Sequence, residues 1–149
     1  MKPLLFVSNG HGEAAIADIV AAEIRTLAPG VRCDHLALVG RARSQNMHDT
    51  GPQRVLPSGG LIAMVNLANI ARDVRAGLIG LVLSQRAFLR KAHDAYAAVV
   101  AVGDAYAYVM ATAARLPTVF VGTAKSVSVA PYGPFEERLL RRAPACFVR

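Results

Sequence analysis

Short apolar segments alternate with amphipathic segments along this sequence, and this alternation is the feature that most restricts its fold. The clearest apolar segment is 97–102, which contains only alanine and valine. Such uninterrupted runs are typical of strands that are covered on both faces, as in a parallel sheet. The same pattern predicts strands at 3–8, 31–38, 118–121 and 145–148, with a short third strand at 53–56.

The segments between these strands have the length and the spacing of helices. In 13–27 the apolar residues recur at helical spacing, and Pro29 and Gly30 end the pattern. Strands and helices in alternation predict an α/β fold, in which a Rossmann-like parallel sheet carries helices on both faces. A chain of 149 residues suits a single domain of this kind. Further helices are predicted at 61–75, 77–92, 104–114 and 134–142, with a long loop at 122–133.

Positive charge exceeds negative charge in this chain, which has a net charge of +7. A basic protein is suited to nucleic acid, to an anionic membrane or to phosphorylated ligands. No aromatic residues accompany the arginines to stack on bases, so nucleic acid is the least favoured partner. Solvated helix faces and contact with an anionic membrane surface both stay open. The basic residues are distributed over a loop and three predicted helices, at Arg41, Arg43, Arg72, Arg75, Arg86, Arg90, Lys91, Arg138, Arg141 and Arg142.

The sequence also bears on where the protein is found. No apolar run reaches the ~20 residues of a membrane span, and the apolar segment at 4–7 is too short for a secretory signal. We therefore expect a cytoplasmic protein, with peripheral attachment to the inner face of the membrane as an option. Cys33 and Cys146 fit this expectation, because each lies in a strand-like segment where a reduced, buried thiol is expected.

The loops that follow the predicted strands are the candidate ligand sites, since ligands bind at the carboxyl ends of parallel strands. The first loop places two glycines around a histidine and leads into a helix, which suits an anion or a sugar hydroxyl. It lacks the third glycine of the dinucleotide fingerprint, and a tight turn capped by Asn9 would explain it equally well. Histidine is also a common general base. The candidate residues of this loop are Asn9, Gly10, His11, Gly12 and Glu13.

Three further loops add polar groups to the same end of the predicted sheet. Asp104 follows the clearest strand, where an aspartate serves equally well as an N-cap, as a ligand for a hydroxyl or as a general base. The loop after 118–121 has hydroxyls and a lysine that suit a phosphate or a sugar, without the Gly-Lys-Ser/Thr ending of a P-loop. A glycine-rich turn precedes the helix at 61–75. The candidate binding residues in these loops are Ser58, Gly59, Tyr106, Thr123, Lys125 and Ser126.

Metal chemistry and serine hydrolysis have little support in the sequence. The histidines lack the spacing of metal ligands and the cysteines form no CxxC pair. The G-x-S-x-G elbow of serine hydrolases is absent from the sequence. We therefore expect no metal site and no cofactor.

Four segments, 4–13, 54–60, 101–106 and 120–126, together resemble the N-terminal half of proteins related to lipid-A-disaccharide synthase. That family has the two-domain GT-B glycosyltransferase fold. The resemblance covers nearly all of this chain and about the first half of such an enzyme. It implies inverting, metal-independent transfer of an N-acetylglucosamine-type sugar from a UDP-sugar donor to a lipid-linked acceptor. It further implies that this domain holds the acceptor, while a C-terminal donor-binding domain outside this chain holds the UDP-sugar.

The resemblance also implies roles for individual residues. Asp104 corresponds to an aspartate that follows the strand before the family's acceptor site, so it is the first candidate for a catalytic carboxylate. His11 is similar to the histidine in the Gly-Gly-His loop of the related peptidoglycan N-acetylglucosaminyltransferase, and is the second candidate. Either residue would deprotonate the acceptor hydroxyl. The competing interpretation is a stand-alone module that binds a nucleotide or small molecule at the same loops without catalysis.

Overall fold

A six-stranded parallel sheet forms the centre of the computed structural model, which describes residues 1–41, 44–57, 67–123 and 133–148. Its strands are, in chain order, β1 (Leu4–Ser8), β2 (Cys33–Ala37), β3 (His48–Asp49), β4 (Ala98–Gly103), β5 (Thr118–Gly122) and β6 (Ala145–Val148). Across the sheet the order is β3-β2-β1-β4-β5-β6, and every neighbouring pair is parallel.

Helices cover both faces of this sheet, so the predicted Rossmann-like α/β fold is confirmed. A short 3-10 turn, Thr112–Ala114, continues the fourth helix. The described helices are α1 (His11–Leu27), α2 (Leu67–Arg75), α3 (Leu78–Ala95), α4 (Ala105–Ala111) and α5 (Pro134–Leu140).

Alternate side chains of the strands form two apolar layers, one on each face of the sheet. On one face, Phe6 and Val102 cluster with Ala17 and Ala21 of α1. The small side chains of these alanines let α1 approach the sheet closely. This packing fixes the first turn of α1 above the carboxyl end of β1.

The second apolar layer is larger and lies under α3, α4 and α5. Leu5 and Val7 of β1 share this cluster with Leu89 of α3 and Tyr108 of α4. The Tyr108 ring meets the Phe120 ring edge to face, with 5.7 Å between the ring centroids. The layer holds α4 against β4, and so fixes the turn between them.

The strand order places a switch point between β1 and β4. From β1 the chain runs outward through β2 to β3, and it then returns to β4 on the opposite side of β1. The loops after β1 and β4 therefore leave the sheet in opposite directions and open a crevice between them. Ser8 pairs with Val102 and Gly103 pairs with Gly122, so the strands end at one common edge.

Two expectations from the sequence are wrong. The third strand is His48–Asp49 and not 53–56; within 53–56, Arg54 forms an isolated antiparallel bridge with Gly40. Val55, in the middle of this segment, has a side chain that is 65% exposed. Cys146 was expected to be buried, but it is exposed because β6 is an edge strand, while Cys33 is buried as expected.

Element boundaries shift by a few residues elsewhere. The first helix begins at His11 and not at 13, which makes Gly10 its N-cap and excludes Asn9 from that role. Residues 58–66 and 124–132 lie outside the described part of the chain, as do parts of the predicted helix 61–75 and of the loop 122–133. In the part that is described, every helix is too short or too polar to cross a membrane.

Candidate functional site

The structure places the described candidate residues at the carboxyl edge of the sheet, as the sequence predicts. Five of them follow β1, two follow β4 and one follows β5. Ser58, Gly59, Lys125 and Ser126 lie outside the described residues. The others are Asn9, Gly10, His11, Gly12, Glu13, Asp104, Tyr106 and Thr123.

Gly103, the last residue of β4, lies at the centre of this edge. Its φ of 139° is in the region that favours glycine. A Cβ atom at this position would overlap Asn9 Oδ1 and would lie 3.3 Å from Glu13 Cγ. The absence of a side chain therefore lets Asn9 and Glu13 close over the end of β4. We call the space bounded by Asn9, Glu13, Gly103, Asp104 and Thr123 the switch-point crevice.

Two polar atoms of the switch-point crevice are buried without a hydrogen-bond partner in the described structure, Asn9 Oδ1 and Thr123 Oγ1. The Thr123 backbone N–H donates to Gly103 O at 3.2 Å, which fixes this residue beside β4. Buried polar atoms are nearly always hydrogen-bonded, because burying them unpaired costs about 1–3 kcal/mol. These two groups, an unpaired acceptor and an unpaired hydroxyl, are therefore suited to bond to a ligand.

Asp104 caps α4. Its Oδ1 accepts the backbone N–H of Tyr106 at 2.9 Å and that of Ala107 at 3.2 Å. The capping role considered from the sequence is thus confirmed. Because both amides bond to Oδ1, Oδ2 stays available to a ligand.

Tyr106 lies in the first turn of the helix that Asp104 caps. Burial and the charge of Asp104 raise the pKa of the Tyr106 phenol, and the Arg86 guanidinium acts in the opposite direction.

Glu13 turns back towards the start of its own helix. A Cβ atom on Gly10 would overlap Glu13 Oε2, so the carboxylate lies directly against the N-cap of α1. Helix N-termini stabilise anions. The place where a phosphate would bind at this helix is therefore already supplied with a carboxylate. With Asn9 Oδ1 and Asp104 Oδ2, the switch-point crevice is rich in hydrogen-bond acceptors.

His11 lies on the other side of the same loop. Its side chain is exposed, and its ring lies against Gly40, where a Cβ atom would be 3.2 Å from His11 Cε1. It lines a cleft of about 680 Å³ between α1 and the loops after β2, whereas Asp104 does not line that cleft. The structure thus separates the two candidate bases. Gly12 is exposed and has open space around it.

A buried polar network that was not predicted from the sequence runs from β1 to the wall of this cleft. His35 of β2 is fully buried, and its Nε2 is 2.8 Å from Ser8 Oγ. Its Nδ1 is 2.8 Å from Ser44 Oγ and 3.8 Å from Asp49 Oδ1. Burial lowers the pKa of His35, and the Asp49 and Asp18 carboxylates act in the opposite direction. The sequence signal for this network is His35, a polar residue within the apolar strand segment 31–38.

Among the residues that the structure describes, no three His, Cys, Asp or Glu side chains are grouped so as to hold a metal ion. The candidate site consists instead of an acceptor-rich crevice and a neighbouring cleft, separated by the loop after β1. Compared with known proteins, the chain matches no family model and no curated protein.

Proposed function

We propose that this domain holds the sugar acceptor of an inverting glycosyltransferase, with the acceptor hydroxyls in the switch-point crevice. The observation that carries the proposal is the buried, unpaired Asn9 Oδ1, which lies against Gly103 as Glu13 Cγ does, with Asp104 next in the chain. These groups accept hydrogen bonds, and sugar hydroxyls donate them. The resemblance to proteins related to lipid-A-disaccharide synthase supplies the reaction class: an N-acetylglucosamine-type sugar moves from a UDP donor to a lipid-linked acceptor.

In this reaction Asp104 is the general base. Its Oδ1 is fixed by two backbone amides, so Oδ2 is the oxygen that takes the proton. The carboxylate removes the proton of the acceptor hydroxyl as its oxygen attacks the anomeric carbon. The bond from that carbon to UDP breaks on the opposite face, which inverts the configuration.

The surface of α3 suits a protein whose acceptor is linked to a lipid. Ile79 and Leu83 are 58% and 63% exposed on this helix, one turn apart. The exposed Arg86 and Arg90 follow at spacings of three and four residues, so apolar and cationic side chains share one side of the helix. A face of this kind suits contact with an anionic membrane surface, where a lipid-linked sugar would be met.

A nucleotide-binding module is the second candidate. Its support is the strand order, which is that of dinucleotide-binding domains, and the segment 10–15, in which alanine replaces the third glycine of the fingerprint. The position of Glu13 opposes it. A carboxylate against Gly10 repels a pyrophosphate from the amides that such domains use. The geometry therefore favours a neutral, hydroxyl-rich ligand in the switch-point crevice.

Titration of the chain with N-acetylglucosamine and, separately, with UDP distinguishes the two candidates. Backbone amide shifts in NMR spectra locate each ligand. We expect the sugar to shift the amide resonances of Gly103 and Thr123. Asn9→Ala should weaken binding of the sugar by about threefold to tenfold. Glu13→Gln should also weaken binding of the sugar. Glu23→Gln, on the exposed side of α1, is the matched control and should leave binding unchanged. Tight UDP binding at residues 10–13, with no effect of the sugar, would establish the binding module instead.

Turnover tests the base. With a UDP-sugar and a lipid-linked acceptor, Asp104→Asn in the protein as it occurs in the cell should lower kcat by about 10²-fold or more. Asparagine keeps the N-cap oxygen, so a loss of activity would not be a loss of fold. A kcat equal to that of the unsubstituted protein would exclude Asp104 as the base.

A further inference from the structure

The cleft beside His11 is a second candidate site, distinct from the switch-point crevice. Its volume of about 680 Å³ is within the range of small-molecule sites, ~300–1,000 Å³. It lies between the outer side of α1 and the loops that follow β2. Its described lining residues are His11, Ala14, Ala15, Asp18, Ile19, Arg41, Ser44, Gln45 and Val55.

One end of the cleft is cationic. Arg41 is exposed and forms no ion pair with the described residues. His11 lies against Gly40, the residue before Arg41, and both His11 and Arg41 line the cleft, in the part that we call its cationic corner. Arginine, with its fork of N–H donors, is the side chain best suited to an oxyanion.

Asp18 is the one acid among the described lining residues, and it forms no ion pair with Arg41 or His11. Asp18 Oδ1 accepts the backbone N–H groups of Gln45 at 3.0 Å and of Asn46 at 2.9 Å. Its Oδ2 accepts Asn46 Nδ2 at 2.8 Å. Both carboxylate oxygens are therefore used to hold the loop at 44–46 against α1.

The other side of the cleft is apolar. Ile19 on α1 and Val55 on the facing loop are 64% and 65% exposed, and Ala14 and Ala15 lie between Ile19 and the cationic corner along the helix. Large aliphatic side chains exposed on both sides of one hollow are suited to cover an apolar group.

The wall between these parts is held in place from beneath. Ser44 Oγ bonds to the buried His35, which bonds in turn to Ser8 at the end of β1. With the three bonds to Asp18, this network fixes the loop on which Ser44 lies. A wall that is ordered without a ligand reduces the entropy lost on binding.

We propose that this cleft binds an organic phosphate monoester, with the phosphate on Arg41 and His11 and an apolar group between Ile19 and Val55. The inference stands apart from the proposed function, because it uses neither Asp104 nor the acceptors around Gly103. Two kinds of phosphate monoester fit this description. A lipid-like phosphate would lay an alkyl chain along the apolar side, and a nucleoside 2′-phosphate would lay its base there.

Isothermal titration with octyl phosphate, adenosine 2′-monophosphate and inorganic phosphate tests the proposal. At least one organic phosphate should bind about tenfold or more tightly than inorganic phosphate, since only it covers the apolar side. Arg41→Gln and Ile19→Asn should each weaken that binding by about tenfold. The matched controls are Arg138→Gln on α5 and Val109→Asn on α4, which are exposed outside the cleft and should leave binding unchanged.

The organic phosphate that binds more tightly identifies the source. Circular dichroism establishes that each variant is folded, which is expected because both substituted side chains are exposed. Equal affinity for all three phosphates would overturn the proposal. An equal loss of affinity in Arg41→Gln and Arg138→Gln would also overturn it. Failure of N-acetylglucosamine to bind the switch-point crevice would leave these results unaffected, so the two proposals fail separately.

Discussion

Asp104→Ala should destabilise the domain by removing the N-cap of α4. The carboxylate accepts two amide protons, at 2.9 and 3.2 Å, that no other group of the helix can accept. Replacing an N-cap aspartate with alanine costs about 1 kcal/mol, within a range of about 0.5–2 kcal/mol. α4 also packs into the larger apolar layer through Ala107 and Tyr108, so the lost cap acts on the folded domain as a whole. For a domain of about 150 residues, 1 kcal/mol lowers Tm by about 2–4 °C.

Asp104→Asn separates the geometry of the cap from its charge. Asparagine presents the same oxygen and is an equally good N-cap, so we expect a loss within about 0.5 kcal/mol. Asp94→Ala is the matched control, since Asp94 is 98% exposed at the end of α3 and contacts the neighbouring His93. Urea unfolding followed by circular dichroism at pH 7 measures all three variants.

The three variants give distinct results. If the hydrogen-bonded oxygen stabilises α4, the loss for Asp104→Ala clearly exceeds the losses for Asp104→Asn and Asp94→Ala. Equal losses for alanine and asparagine at position 104 would show that charge, and not the hydrogen-bonded oxygen, stabilises α4. No loss in either variant would refute the view that these two bonds contribute to stability.

Two further predictions concern the centre of the site and its buried histidine. Gly103→Ala should cost about 1–3 kcal/mol for its φ of 139°, and should also displace Asn9. In urea unfolding, Gly12→Ala, which meets open space, should cost nothing, and equal stability of the two would contradict the account of Gly103. Burial lowers the pKa of His35 in the folded protein, so the unfolded chain binds more protons at acidic pH, and stability falls as the pH drops below the ordinary histidine pKa of about 6.5. His35 contributes a slope of at most about 1.4 kcal/mol per pH unit to the free energy of unfolding. His35→Asn should flatten the pH dependence of this free energy between pH 7 and 5. Parallel curves of stability against pH for the two proteins would argue against burial of His35 as the cause.

The sequence predicts the buried strands well and the edge strands poorly. β1 and β4 are covered on both faces, so their apolar residues record their burial directly. β3 consists of His48 and Asp49, both exposed, and it exists only because their backbones pair with Asp34 and His35. No apolar signal marks such a pairing. The segment 53–56 was wrongly predicted as a strand, and its Val55 side chain borders a cleft and is not in a core.

The candidate site is predictable in its position and not in its contacts. Parallel strands end at one edge, so the loops after β1, β4 and β5 were bound to meet there. The unpaired state of Asn9 Oδ1 and Thr123 Oγ1 depends on which donors reach them in three dimensions. The contribution of Arg41 to a cleft likewise depends on how the loop after β2 folds back on α1. Residue type and spacing contain neither fact.

The first turn of α1 explains why the crevice and the cleft differ in charge. His11 and Glu13 are two residues apart, and successive helical residues are rotated by about 100°, so these side chains leave α1 on nearly opposite sides. Glu13 consequently lies beside Gly103 in the switch-point crevice, and His11 lies beside Gly40 in the cleft. Since α1 directs Glu13 and not His11 towards the crevice, the transfer that we propose uses a carboxylate as its proton acceptor. This favours Asp104 over His11 as the base of the proposed transfer, and leaves His11 to act with Arg41 on an anion.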